Sequence, residues 1–281
     1  MQGKTVVITG ATSGIGEVAA ETLAARGARI VFTARDEARA QATLRRLAAV
    51  NPAVAHDFVL ADLSVLAAMK TAGAALAAKA GRIDVLINNA GAIFDHREVT
   101  ADRLEKTFAL NHMAYFVVTW TLRPNLAQRA RIISTASGAH RYGRLDFGDL
   151  QSQRRFSALE AYGRSKLCNI AWTYALSRRL AETGITANCF HPGGVNTRFG
   201  ADTRGLQSLL LRFAQRFMLT PAQGADTLIW LASAREVGGR TGGYWVRRRL
   251  SQPSAAARDP EVVAHLWAES ARIAGWPELA A

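Results

Sequence analysis

The stretch AYGRSKLCN, residues 161–169, places a tyrosine four residues before a lysine. Residues at that spacing share one face of a helix, so Tyr162 and Lys166 can project into one cavity. A phenol with a reference pKa near ~10 is a poor base at neutral pH. A neighbouring ammonium favours the phenolate and is expected to lower that value. The pair could then pass a proton to or from a substrate oxygen. The plainer alternative is a surface pair on an ordinary helix.

A second constellation decides between them. Residues 9–16 read TGATSGIG, between a β-branched run and a helical pattern. Gly10 allows a sharp turn, while Gly14 and Gly16 allow close approach of backbone to a phosphate and of helix to strand. A helix starting there offers free N–H groups and a positive dipole end to a pyrophosphate. Gly10, Ser13, Gly14, Ile15 and Gly16 are therefore the expected dinucleotide contacts.

Both constellations need a scaffold. Short apolar runs at TVVIT (5–9), RIVFTA (29–34), DFVLA (57–61), DVLINN (84–89), RIISTA (131–136), TANCFH (186–191) and GGYWV (242–246) alternate with helical patterns, the longest near 101–127 and 158–182. Strands this apolar are buried on both faces, as in parallel sheets covered by helices. The expectation is an α/β fold with one doubly wound parallel sheet of about seven strands, helices on both faces and a single domain over 1–281. Residues 198–220 read as an insertion and 247–281 as a C-terminal extension.

The order of motifs resembles the short-chain dehydrogenase/reductase family, which has a Rossmann-type fold. TGATSGIG matches its first turn, NNAG (88–91) follows the fourth strand and PGGVNT (192–197) follows the sixth. The resemblance implies that Tyr162 is the acid/base, that Lys166 also holds the nicotinamide ribose, and that a serine one strand earlier binds the substrate oxygen. STASGAH (134–140) offers Ser134 and Ser137. Ser137 is preferred because it lies at the carboxyl end of the strand, where open α/β sheets bind ligands. Asn111, in ALNHMAYF, matches the asparagine that anchors a proton-relay water. The alternative for it is a helix-interior amide satisfied by its neighbours. His112 and His140 are read as structural. Asp62, Leu63, Asn89, Ala90, Gly91, Pro192, Gly193, Val195 and Thr197 are the remaining implied cofactor contacts. The extra RYGRLDFGDLQSQRRF before Tyr162, with SKLCNIAWTYALSRRL, GITANCFHPGGVNT and LWAES (266–270), resembles the retinol dehydrogenase-like subgroup. Membrane-bound relatives carry an N-terminal anchor, whereas this sequence enters its first strand at once.

The second strand ends in FTARD. An NAD-binding fold usually has an acid there for the ribose hydroxyls. Here Ala34 takes that position and Arg35 follows, a planar cation suited to a 2′-phosphate. Asp36 is expected to cap the next helix. NADP(H) is therefore expected in preference to NAD(H). The reading that follows is hydride transfer between NADP(H) and an apolar carbonyl or alcohol. Its alternatives are reduction of a carbon–carbon double bond on the same fold, and a non-catalytic nucleotide-sensing protein.

The net charge of +13 raises the question of nucleic acid. Nine arginines lie between Arg204 and Arg258, against Asp226 and Glu236. No RNA-binding signature or zinc-ligand spacing accompanies them, so a solvated basic face, or weak contact with an anionic membrane, is expected instead of specific nucleic-acid binding. Residues 206–219, LQSLLLRFAQRFML, carry apolar residues at helical spacing and are expected to form an amphipathic helix that lids the substrate pocket. The two cysteines, Cys168 and Cys189, are expected to be buried thiols, and the start of the chain lacks a signal-peptide pattern, which together suggest a cytoplasmic protein. The family often pairs through its two long helices, so a homo-oligomer is expected.

Overall fold

A computed structural model describes residues 1–193 and 219–279. Among these residues, eight strands form one sheet: β1 (Thr5–Thr9), β2 (Arg29–Ala34), β3 (Asp57–Leu60), β4 (Ile83–Asn88), β5 (Leu126–Thr135), β6 (Thr186–His191), β7 (Tyr244–Val246) and β8 (Arg249–Ser251). Their spatial order is β3-β2-β1-β4-β5-β6-β7-β8. All neighbours run parallel except β7 and β8. Strand order reverses where β1 meets β4, and a crevice at such a switch point is the general ligand site of open α/β sheets.

The sheet is covered on both faces. Successive side chains of a strand point to opposite sides. Val7 of β1 accordingly joins one apolar layer, with residues of α3 (Leu66–Ala80), α5 (Ala114–Leu122), α6 (Ala158–Arg179) and α8 (Pro260–Ala274). Val6 and Ile8 join the other, with α1 (Gly14–Ala25), α2 (Glu37–Val50) and α7 (Pro221–Ser233).

Two elements differ from the sequence reading. The helical pattern near 101–127 is not continuous. A single turn, α4 (Lys106–Phe108), runs into a π-helical turn at Ala109–Met113 before α5 begins. Glu105, fully buried, caps this run by accepting from the N–H groups of Thr107 and Phe108 at 2.8 and 2.9 Å. The second difference is β8, paired antiparallel to β7 through a turn in which Arg247 and Arg248 have φ of 49° and 60°.

The C-terminal helix α8 lies on α6 and α5. Trp267 meets Phe116 edge-on at 5.1 Å and Trp120 at 5.7 Å, and the Arg179 guanidinium sits 4.2 Å over its ring. Among the described residues, Leu159 is the one exposed large apolar side chain on α5 and α6. The faces expected to pair between copies are thus largely covered from within the chain. The expected helix over 206–219 lies, but for Leu219, outside the described residues. No described helix is long and apolar enough to cross a membrane.

Candidate active site

The turn after β1 is held open by glycine. Gly10 and Gly14 have φ of 71° and 60°. A Cβ on Gly16 would collide with Gly10 O and Asn89 Nδ2. Ser13 occupies the N-cap of α1 in extended conformation, and its side chain makes no capping hydrogen bond. The first N–H groups of α1, at Gly14, Ile15 and Gly16, therefore rely on something other than a side-chain cap. An uncapped helix start in a glycine cradle fits a pyrophosphate.

The loop after β4 is fastened to that turn. Thr9 Oγ1 accepts from the N–H groups of Asn89 (2.9 Å) and Ala90 (3.1 Å). Asn89 Nδ2 donates to Gly10 O at 2.9 Å. The side chain of Asn89 is thus spent on shaping the cradle. Ala90 backs Gly10, whose Cβ would lie 2.9 Å from Ala90 Cα. Gly91 lies over the catalytic candidates: a Cβ there would be 3.0 Å from Asn111 Oδ1 and 3.5 Å from Lys166 Nζ.

At the far end of β2, Ala34 is buried and Arg35 is exposed. Asp36 caps α2 by accepting from Arg39 N at 2.7 Å, as expected from the sequence. After β3, Asp62 Oδ1 accepts from Ser64 N (3.0 Å) and Ser64 Oγ (2.8 Å), while Leu63 is buried in the core. Leu63 can offer a ligand only its backbone.

β5 delivers the serine. Ser134 lies within the sheet, opposite Asn88 and Cys189, and is fully buried. Ser137 lies two residues past the strand's end and caps a 3₁₀ turn, Gly138–Tyr142. Its hydroxyl accepts from Ala139 N at 3.2 Å and hydrogen-bonds the Tyr162 side chain. The structure therefore brings Ser137, not Ser134, to Tyr162. His140 holds this turn in place through Ser137 O at 2.7 Å and by accepting from Ser254 N at 3.1 Å. Burial lowers the pKa of His140.

Tyr162 and Lys166 lie one turn apart on α6, the tyrosine half-buried and the lysine buried. Lys166 Nζ lies 5.5 Å from the Tyr162 ring centroid and 5.7 Å from that of Tyr115. It donates to Thr135 O at 3.0 Å. The expected lowering of the tyrosine's pKa is not what this geometry produces. Burial pushes Tyr162 up to about 12, with the Ser137 hydrogen bond acting the other way. Burial also pulls Lys166 down to about 7. Desolvation disfavours charge on both groups.

Asn111 sits within the π-helical turn, fully buried. Its Oδ1 accepts from Ala92 N, and its Nδ2 donates to Ala92 O, both at 2.9 Å, and to Ser165 Oγ at 3.0 Å. The side chain is satisfied by its neighbours and ties the Gly91–Ala92 loop to α6. Its carbonyl accepts from Asn169 Nδ2 at 2.9 Å.

Three contributors were not singled out by the sequence. Thr135 acts through its carbonyl, which no side-chain pattern can reveal. Asn169 follows Lys166 by less than one helical turn. His191 immediately precedes Pro192, and its Nδ1 accepts from Gly138 N (3.1 Å) and Gly193 N (3.3 Å), latching the serine turn to the Pro192–Gly193 loop. The neighbouring Pro-Gly pair was its only available signal. Val195 and Thr197 lie outside the described residues.

The chain is similar to known proteins over most of its length. The family model described as short chain dehydrogenase matches residues 4–206. A Streptomyces sp. (strain C5) protein provisionally named a daunorubicin C-13 ketoreductase is 41% identical over 98% of this chain and 94% of its own length. Human retinol dehydrogenase 13 is 36% identical over 97% of this chain and 85% of its own. A short chain dehydrogenase from Burkholderia cenocepacia J2315, solved in complex with NADP, superposes with a TM-score of 0.71 at 27% identity, covering 87% of this chain and 96% of that one. With a family match over most of its length and relatives that align nearly end to end, the chain belongs to the short chain dehydrogenase family of oxidoreductases and is retinol dehydrogenase-like within it.

Proposed function

We propose that the protein interconverts a carbonyl and an alcohol on an apolar substrate, with NADP(H) as the hydride carrier. The observation that carries the reading is the meeting of Ser137, Tyr162 and Lys166, with the 89–91 loop running from the glycine turn at Gly10 to Lys166. The dinucleotide, when bound, supplies or accepts the hydride. Ser137 and Tyr162, hydrogen-bonded to each other, offer two hydroxyls to one substrate oxygen. With its pKa raised to about 12, Tyr162 is a neutral phenol at physiological pH and thus a proton donor during carbonyl reduction. Lys166, as an ammonium over the ring, favours the phenolate left behind. Thr135 O holds Lys166 in that place.

Preference for NADP(H) is supported by the end of β2. Asp36 is committed to capping α2, so the exposed side chain following buried Ala34 is Arg35. Its fixed positive charge suits a 2′-phosphate. The relatives named as a ketoreductase and a retinol dehydrogenase support a bulky apolar ketone or aldehyde as substrate. Cys168 and Cys189, both free and buried, suit a reducing compartment and support a cytoplasmic location.

The test is NADPH oxidation against a panel of aliphatic, aromatic, polyprenyl and steroid carbonyls. Turnover of apolar members with formation of the alcohol is expected. NADPH binding without turnover of any carbonyl would favour a nucleotide-sensing role instead.

A further inference from the structure

His191 stands where sheet pairing stops, between the serine turn and the Pro192–Gly193 loop. β5 and β6 are paired up to Thr135 and Phe190, and Ala136 N still donates to Phe190 O at 2.9 Å. Beyond that point the ladder lacks a donor, because Pro192 has no N–H. Gly138 N, two residues on, goes to a side chain instead, His191 Nδ1 at 3.1 Å. Gly193 N reaches the same nitrogen at 3.3 Å.

Two backbone N–H groups on one imidazole nitrogen settle the state of the ring. Both are donors, so Nδ1 is the acceptor and the ring hydrogen is on Nε2. A second proton would set an N–H against two N–H groups. Burial opposes the imidazolium, and the nearby His140 and Arg247 charges oppose it further, so the pKa of His191 is lowered. The flanking glycines are fitted to this arrangement. Gly193 has φ of 90°, which glycine adopts without strain, and its N–H turns back onto the side chain two residues before it. Gly138 leaves room for the ring: a Cβ there would lie 3.1 Å from His191 Nε2.

The turn that begins at Gly138 is the one Ser137 caps, and the Ser137 hydroxyl meets the Tyr162 side chain. Elsewhere the turn is fastened by His140, which accepts from Ser254 N at 3.1 Å. One atom, His191 Nδ1, therefore joins the element that presents Ser137 to the loop that family resemblance places beside the nicotinamide.

We propose that His191 is a positioning residue: its Nδ1 holds the Ser137 turn and the Pro192–Gly193 loop in fixed relation, so that a nicotinamide seated against the loop and a substrate oxygen held by Ser137 and Tyr162 meet in register. It takes no part in the transfer of proton or hydride. The kinetic consequence rests on the carbonyl–alcohol reading above; the geometry does not.

Two replacements separate the acceptor from the mere bulk of the ring. His191→Asn offers Oδ1, and an asparagine side chain in a turn hydrogen-bonds the backbone two residues on. His191→Phe keeps a ring and loses the acceptor. His191→Phe should lower kcat for carbonyl reduction roughly ten- to a hundredfold, the scale on which a small misplacement acts, and should also weaken NADPH binding. His191→Asn should recover most of both. Amide hydrogen exchange at Gly138 and Gly193, followed by NMR in the free protein at one pH, should speed up in His191→Phe but not in His191→Asn. If His191→Phe folds poorly, the wild type still decides: the nitrogen NMR shifts of its imidazole at neutral pH should show His191 Nδ1 without a hydrogen and Nε2 with one. Equal losses in the two variants, in proportion to their falls in Tm, would overturn the proposal, as would a hydrogen on Nδ1. Lack of wild-type turnover on every carbonyl would defeat the functional reading alone, because exchange and nitrogen shifts report on the latch itself.

Discussion

Burial dominates the charge state of the proposed catalytic pair. Lys166 has its pKa pulled from the ordinary 10.5 down to about 7. Its ammonium is present at lower pH and lost as the pH rises through about 7. Carbonyl reduction should therefore slow as the pH is raised through that region, while Tyr162, near 12, remains a phenol. A kcat/KM profile at fixed ionic strength checks this, and a rate flat well into alkaline pH would contradict it. The same depression has a consequence for stability. Between about 7 and 10.5 the unfolded chain keeps a proton that the folded chain has released. Stability from this group therefore rises with pH across that window and is lost as the pH falls through about 7. Urea midpoints at both ends of the window should show the rise in wild type and a weaker one in Lys166→Met. Cofactor choice also lies at residue scale. A hydrogen bond to a charged group contributes about 1.5–3 kcal/mol, or roughly ten- to a hundredfold. Arg35→Ala should weaken NADPH by about that factor and leave NADH nearly unchanged. Equal wild-type use of both cofactors would show that Arg35 faces no phosphate.

At the scale of elements, the glycine-rich turn and the strands were legible because local chemistry dictates them. Runs such as TVVIT and RIVFTA are buried on both faces and coincide with β1 and β2. The cradle can be tested by Gly16→Ala, which drives a methyl group into Gly10 O and Asn89 Nδ2. NADPH affinity should fall, and the variant should melt below wild type. Undiminished affinity would show that the turn has slack. The π-helical turn at Ala109–Met113 was not legible. Its apolar spacing reads as ordinary helix, and the wider turn is set by contacts from elsewhere, including those of Asn111 with Ala92 and Ser165. β8 was hidden for a different reason. Its turn uses Arg247 and Arg248 at positive φ, where glycine or asparagine is the usual signal. The pKa of Tyr162 was misjudged because the four-residue spacing gives proximity to Lys166 but says nothing of shared desolvation.

Among the described residues of the whole molecule, α8 covers apolar side chains of α5 and α6. α8 lays Trp267 over Phe116 and Trp120, so a second copy would find little apolar surface there. The protein should accordingly run as a monomer in light scattering, in contrast to the pairing that family resemblance suggested. A stable dimer that survives dilution would show that another surface serves. Trp267→Ala should cost roughly 3–5 kcal/mol in urea denaturation, the usual range for a buried tryptophan. The central claim is that Tyr162 transfers the proton in NADPH-dependent carbonyl reduction. Its most direct test compares wild type with Tyr162→Phe on an accepted carbonyl, with the alcohol product quantified against NADPH consumed and NADPH affinity measured separately. The account predicts one alcohol for each NADPH in wild type, and a kcat lower by typically ~10²- to 10⁴-fold in Tyr162→Phe with NADPH affinity retained. Near-normal turnover in Tyr162→Phe, or NADPH consumed without alcohol formed, would contradict it.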